Sequence, residues 1–378
     1  MEEFDIAIIG GGIVGLAHAC LANKAGLRVG LFERSPRACG ASVRNFGMIW
    51  PIGQPPGPLH QMALRSRELW LEFLDEAGLP WHATGSLHAA YRQDEADVGC
   101  EFVQKAASLG YECKWLDAKQ ALEKTAALRA EGLLGALWSP VEMTVDARLV
   151  VAGLTRYLAR QPHVEVFRNA VVHEVTNGTI RAGSRTCRVG AVIVATGSDF
   201  ETLFPEYFAD SGVTRCKLQM MRTVAQPQGW RLGPALAFGL TFRHYPSFAI
   251  CPSLAALKDR VAQETPELDR WGIHVLASET ANGEVTLGDS HEYGLDVSFA
   301  DRAEINRLIL EYAREYLRLP RFEIAETWHG VYARHPDSSY LVHEPAARVR
   351  VVTVTSGIGM TMSFGLAESV LRGLGVLP

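Results

Sequence analysis

The segment Ile6-Ala-Ile-Ile9-Gly10-Gly11-Gly12-Ile13-Val14-Gly15 constrains the fold more than any other part of the chain. A short apolar strand runs into G-x-G-x-x-G, and beyond it Ile13, Leu16, Ala17, Cys20 and Leu21 recur at helical spacing on one face. Gly10 makes the turn, Gly12 lets the backbone approach a pyrophosphate, and Gly15 lets helix and strand pack closely. The helix N-terminus then attracts the phosphates. Arg28 to Phe32 supplies a second strand and completes a β-α-β unit, which Glu33 closes 18 residues after Gly15. An acid at that distance accepts hydrogen bonds from ribose hydroxyls and repels a 2′-phosphate, so the pattern points to FAD or NAD rather than NADP.

At 378 residues, 48% of them hydrophobic, the chain is long enough for roughly two domains. The net charge of −5 and the absence of a Lys/Arg run argue against nucleic acid and leave a small molecule as the expected partner. No apolar stretch approaches the length of a membrane span, and Met-Glu-Glu-Phe-Asp lacks the basic start of a secretory signal, so a cytoplasmic protein is expected. Seven cysteines form no C-x-x-C, and no H-x-x-x-H with a carboxylate between the histidines occurs. No disulfide framework and no metal are expected.

Residues 46–58, rich in proline and glycine, read as an ordered functional loop, followed by an amphipathic helix over 59–77. A second helix is expected over 147–159, with strand-like stretches at 164–175, 213–224, 241–250 and 273–277. Val192 to Ala195 and Val349 to Val354 resemble buried central strands of a parallel sheet, ending at Thr196-Gly197 and Ser356-Gly357. These features predict an α/β protein whose Rossmann-like domain is discontinuous, built from 1–85, 141–212 and 326–378. A substrate domain on an antiparallel or mixed β-sheet would occupy 86–140 and 213–325. One dinucleotide fingerprint, with no second one for NAD(P)H, suggests that the substrate itself reduces a bound flavin.

Several further segments keep one order and spacing along nearly the whole chain: Gly40-Ala41-Ser42-Val43-Arg44-Asn45-Phe46-Gly47, Ala195-Thr196-Gly197, Trp328-His-Gly330 with Pro336-Asp337, and Gly357-Ile-Gly359-Met360-Thr361. With Gly10 to Gly15 and Glu33 they resemble the D-amino-acid-oxidase family of FAD proteins. The resemblance implies a Rossmann-like FAD-binding domain and flavin contacts from Ser42, Arg44, Asn45, Phe46 and Gly47. It adds Gly10, Gly12, Ile13, Val14, Gly15, Glu33, Arg34, Val172, Thr196, Gly197, Gly330, Gly357, Ile358, Gly359, Met360 and Thr361 as cofactor-binding positions. Some relatives tether FAD through a His in the 42–47 segment or a Cys near the C-terminus. Neither is present here, so non-covalent FAD is expected.

The stretch Ala41 to Pro51 is similar to a narrower subgroup that accompanies aminophosphonate breakdown, implying 2-aminoethylphosphonate or its N-methyl derivative as substrate and phosphonoacetaldehyde as product. The resemblance further implies hydride transfer from the carbon beside nitrogen to the flavin, with oxygen or an electron carrier as final acceptor. His244, Tyr332 and Arg334 are the expected catalytic and anion-holding residues, with Met48, Trp50, Lys217 and Tyr245 as substrate contacts. Read as a strand, Thr241 to Tyr245 puts Arg243 and His244 on opposite faces, and His244 is favoured. Many relatives carry an Arg-Pro pair shortly after the Trp-containing segment, which this chain lacks. Oxidation of sarcosine, glycine or a D-amino acid stands as the enzymatic alternative, an NAD-linked dehydrogenase as a second, and a non-catalytic flavin-binding protein as a third.

Overall fold

The computed structural model describes residues 2–377. Within them β1 (Glu2–Ile9), α1 (Ile13–Lys24) and β2 (Val29–Glu33) form the unit that the glycine string predicts. The helix α2 (Pro58–Ala77), the helix α3 (Ala147–Leu158), β3 (Val164–Arg168), β4 (Arg185–Val194), β5 (Tyr340–Ala346), β6 (Val349–Val354) and α4 (Gly359–Gly373) complete the same layer system. The strands run in the order β5-β6-β4-β1-β2-β3 within an eight-stranded sheet, and a hairpin of Val172–Thr176 and Thr179–Ala182 extends from β4. β1 is parallel to both β2 and β4, with Ile9 level with Phe32 and Val194.

Because side chains alternate along a strand, β1 feeds two cores. Ile6 and Ile8 pack with α1 to α4, whereas Phe4, Ala7 and Ile9 join Phe32, Val192 and Val194 on the other face. Strand order reverses at β1, and a crevice opens beyond the carboxyl end of such a strand.

A nine-stranded mixed sheet forms the second layer system. Its strands come from Ser86–Ala90, Lys114–Asp117 and Gly135–Ser139, then from Thr214–Thr223 onward, ending with Ile324–Arg334, which pairs antiparallel with Thr214–Thr223 over its length. The expected boundary at 325/326 therefore cuts through a strand of this sheet. A second correction concerns 241–250. That stretch forms two short 3-10 turns, Gly239–Arg243 and Pro246–Ile250, instead of a strand. Pro246 has no N–H for a ladder, and Phe242 and Phe248 fold onto each other with ring centroids 4.9 Å apart.

His88, in the strand Ser86–Ala90, sits among those rings, with centroids 5.4 Å from Trp50, 5.6 Å from Phe242 and 5.4 Å from Phe248. It is fully buried and neither ring nitrogen finds a partner, so burial pushes its pKa down to about 3. The folded value lies below the unfolded one. The folded state therefore keeps the ring neutral while the unfolded chain takes up a proton, and stability falls as pH drops below 6.5. The loss from this residue is about 2 kcal/mol near pH 5. Urea unfolding at neutral and mildly acidic pH should show a smaller acid loss in His88→Leu than in the parent. Equal acid sensitivity in the two proteins would exonerate His88.

Candidate active site

At the crevice beyond β1 the chain is held too tightly for side chains. Gly10 has a φ of +110°, and a Cβ there would strike the carbonyl of Ala195; one at Gly15 would strike the carbonyl of Gly10. The N-terminus of α1 consequently abuts the crevice without a side-chain cap, and among its first N–H groups that of Ile13 donates to Ser42 Oγ at 2.9 Å. Glu33 is aimed by backbone donors: Gly11 N–H reaches one carboxylate oxygen and Ser35 N–H the other, each at 2.8 Å.

From here a single cavity of about 500 Å³ runs between the two sheets. Gly10, Gly12, Ile13, Val14, Glu33, Arg34, Ser42, Arg44, Asn45, Phe46, Val172, Thr196, Gly197, Gly330 and Gly357 to Thr361 all line it. Gly15 and Gly47 do not. They act through the backbone, since Gly47 has a φ of +71° and lies against the carbonyl of Val145. Asn45 and Arg44 brace their own loop: Asn45 donates to the Ala41 carbonyl at 2.8 Å and accepts from Gly47 N–H at 2.7 Å, while Arg44 bonds the carbonyls of Cys39 and His329 at 2.8 and 3.0 Å. Arg34 pairs with Asp199 at 2.6 Å.

The segment Gly357 to Thr361 opens α4, whose N-terminus also lacks a side-chain cap and lies on the cavity wall. A helix start with free N–H groups favours negative charge beside it. Beside it, Trp50 is buried with its indole N–H unpartnered. Its backbone N–H is held by Thr361 Oγ1 at 3.0 Å. Two uncapped helix starts, an acid positioned for ribose hydroxyls and an orphaned indole donor suit a flavin dinucleotide.

The far end of the cavity lies against the second sheet. Met48, Trp50, His244, Tyr245 and Tyr332 line it. Burial raises the pKa of both tyrosines, which stay protonated donors. His244 and Tyr245 share the wall, because the 3-10 turn replaces the alternation of a strand. Arg243 points away and pairs with Asp269.

Two expected substrate contacts are misplaced. Lys217 is fully buried outside the cavity, its ammonium 3.0 Å from Asp301. Arg334 lies outside the lining too, with its guanidinium 4.9 Å from the Tyr293 ring centroid. The sheet explains both, since Lys217 and Arg334 stand in paired strands with their heads turned to other partners.

His274, Asp289 and His291, which no sequence spacing singles out, also line the cavity and are only 2%, 5% and 5% exposed. They flank the hairpin of Leu276–Glu279 and Val285–Gly288, where His274 and Asp289 exchange backbone hydrogen bonds of 3.3 and 2.8 Å. Ring centroids separate His244 from His274 by 3.9 Å, at 29° between planes, and from His291 by 4.5 Å, at 38°. Burial pushes all three imidazoles down, that of His291 to about 4, and pushes the Asp289 carboxyl well up. The three imidazoles are neutral near pH 7. The one signal in the sequence was a histidine interrupting the apolar run Ile273 to Ala277.

No helix among the described residues is long and apolar enough to cross a membrane, and all seven cysteines are free. Comparison with known proteins bears on the cavity. Glycine oxidase from Geobacillus kaustophilus is 29% identical over 215 residues, 52% of this chain and 55% of that enzyme, so the match spans a little over half of the relative. The crystal structure of that species' glycine oxidase superposes with a TM-score of 0.79 at 19% identity, covering 100% of this chain and 96% of the other. An L-α-glycerophosphate oxidase from Mycoplasma pneumoniae with FAD bound gives 0.73 at 16% identity, over 99% and 95%. These superpositions establish the shared fold, and the model of the DAO family, described as FAD dependent oxidoreductase, matches residues 5–371. With that match over almost the whole chain, and with a crevice shaped for the dinucleotide, the protein belongs to the FAD-dependent oxidoreductases of the DAO family.

Proposed function

We propose that this chain oxidises the C–N bond of a small amine bearing an anionic group, with 2-aminoethylphosphonate or its N-methyl derivative as leading substrate and phosphonoacetaldehyde as product after imine hydrolysis. One observation carries the reading: the dinucleotide crevice continues into a polar end lined by three imidazoles, two tyrosines and Asp289 but no Lys or Arg. A tetrahedral phosphonate offers three oxygens to such a set of donors. The likeness of Ala41 to Pro51 to the aminophosphonate subgroup supports the same choice. The second reading, glycine or sarcosine, draws on the similarity to a glycine oxidase.

FAD, when bound, supplies the hydride acceptor. The chain binds and orients. Gly10 to Val14 would face its diphosphate, Glu33 its ribose, and the start of α4 the end of the ring system that gains negative charge. Trp50, Tyr245 and Tyr332 wall the reacting amine and exclude water, and positioning of the carbon beside nitrogen supplies much of the rate. No side-chain base is needed if the amine reacts neutral. The free cysteines fit a reducing, cytoplasmic setting.

Three outcomes test this. Under anaerobic titration the aminophosphonates should bleach the flavin at lower concentrations than glycine, sarcosine or D-amino acids; reduction by the amino acids alone favours the second reading, and no reduction by any amine sinks the proposal. The limiting rate of flavin reduction at saturating amine should climb with pH to a plateau as the bound amine loses its proton, a flat profile arguing against a neutral reactant. Glu33→Gln should weaken FAD binding about tenfold, from the roughly 1.5 kcal/mol of a hydrogen bond to a charged acceptor. Fluorescence of released FAD measures it, and unchanged affinity would remove Glu33 from the site.

A further inference from the structure

The strongest unexplained feature is the stack of His244, His274 and His291 with Asp289 behind it. Buried polar groups ordinarily find partners, yet both nitrogens of His274 and one oxygen of Asp289 have none, although His274 Nε2 lies 3.1 Å from that oxygen. His274 is 2% exposed and lines the cavity. His291 Nδ1 lies 2.9 Å from the carbonyl of Gly272. A carbonyl only accepts, so the hydrogen of neutral His291 sits on Nδ1 and the other nitrogen presents a lone pair.

Two ligand classes could complete such a group. Ligand atoms of the three imidazoles lie within 4.8 Å of one another, close enough for a metal ion. The ring planes decide against it. A metal lies in the plane of each imidazole that binds it, and around a tetrahedral ion those planes converge. Here His244 and His274 stack face to face with centroids 3.9 Å apart, and His274 and His291 are within 16° of parallel. Stacked rings instead leave their edge nitrogens close together, and the one on His291 becomes a donor once it is protonated. Such a cluster fits an anion with several oxygens.

We propose that His244, His274 and His291 form an anchor for a tetrahedral oxyanion, and that the anchor acquires its positive charge only when the anion arrives. His291 cannot donate toward the cavity without a second proton, so an anion that enters must bring one in from solvent. Burial favours the protonated form of Asp289, which donates as well. Arg243 on the turn beside His244, turned away from the cavity and paired with Asp269, and Arg334 on the strand Ile324–Arg334 lie behind the group with positive charge, and Tyr245, Tyr293 and Tyr332 are its further titratable neighbours. These guanidiniums help hold the empty imidazoles neutral and add attraction once the anion is present. As the anchor for the substrate's anionic end, the site rests on the amine-oxidation reading. As an anion site it does not.

Calorimetric titration of the FAD-loaded protein with inorganic sulfate tests it, because sulfate keeps its charge across the working range and any proton taken up enters the protein. In buffers of different ionisation enthalpy, sulfate should bind with uptake of about one proton near pH 7.5, and its Kd should rise roughly tenfold per pH unit above that. His274→Gln and His291→Gln, checked for folding by an unaltered flavin spectrum, should weaken sulfate at least tenfold and lower the proton uptake. Binding without proton uptake, no binding, or stoichiometric zinc in the purified protein whose chelation abolishes sulfate binding would each overturn the anchor. Proton-linked sulfate binding in a protein whose flavin no amine reduces would leave the anchor standing and refute the amine reading. Flavin reduction by amines without sulfate binding would do the reverse.

Discussion

The close passage of α1 against β1, at Gly10 and Gly15, is the constraint on which the rest of the site depends. With no room for a Cβ at either position, the helix begins directly at the carboxyl end of the strand, and its uncapped N-terminus looks into the crevice. β2 then lies level with β1, which delivers Glu33 to the same edge, and the backbone donors of Gly11 and Ser35 fix its carboxylate. One steric condition thereby sets both the phosphate-facing and the ribose-facing walls. It also decides where the second sheet can contribute, since the cavity can extend only away from the strand ends.

This half of the molecule was legible in the sequence because its physics is local. Glycines that permit a turn or a close approach stand next to the elements they join, and an acid at the end of the next strand follows at a distance set by one helix and two strands. The parallel strands β4 and β6 announced themselves as short apolar runs for a similar reason, being covered on both faces. The cavity's far end obeyed no local rule. Lys217 and Arg334 looked like anion holders, but the pairing of Thr214–Thr223 with Ile324–Arg334 turned one toward Asp301 and the other onto Tyr293. The stretch 241–250 looked like a strand until Pro246 and the packing of Phe242 on Phe248 curled it.

His274, Asp289 and His291 show why such groups escape a linear reading. His274 and Asp289 become neighbours through a hairpin register, and His244 joins them through a turn whose strand propensity points elsewhere. No spacing rule links positions brought together this way. A lone histidine in an apolar run is more often a core residue, as His18 is, with one ring nitrogen on the carbonyl of Val14. What separates His274 from that ordinary case is its place on the cavity wall, stacked with two further imidazoles, and that is visible only in three dimensions.

The division of charge along the cavity follows from the same reasoning. Arg34 and Arg44 sit at the dinucleotide end, where solvent and fixed partners support permanent charges. At the far end, among buried His274, Asp289 and His291, a guanidinium would have to be stripped of water whenever the pocket is empty, a cost of several kcal/mol for an unpaired ion. An imidazole avoids that cost by staying neutral until an anion repays its protonation. It also discriminates: a neutral ligand finds a neutral wall and gains nothing from it, while an oxyanion creates the charge that holds it. Specificity of this kind arises from proton uptake rather than from shape, which is why a pocket without a single Lys or Arg at its end can still select for negative charge.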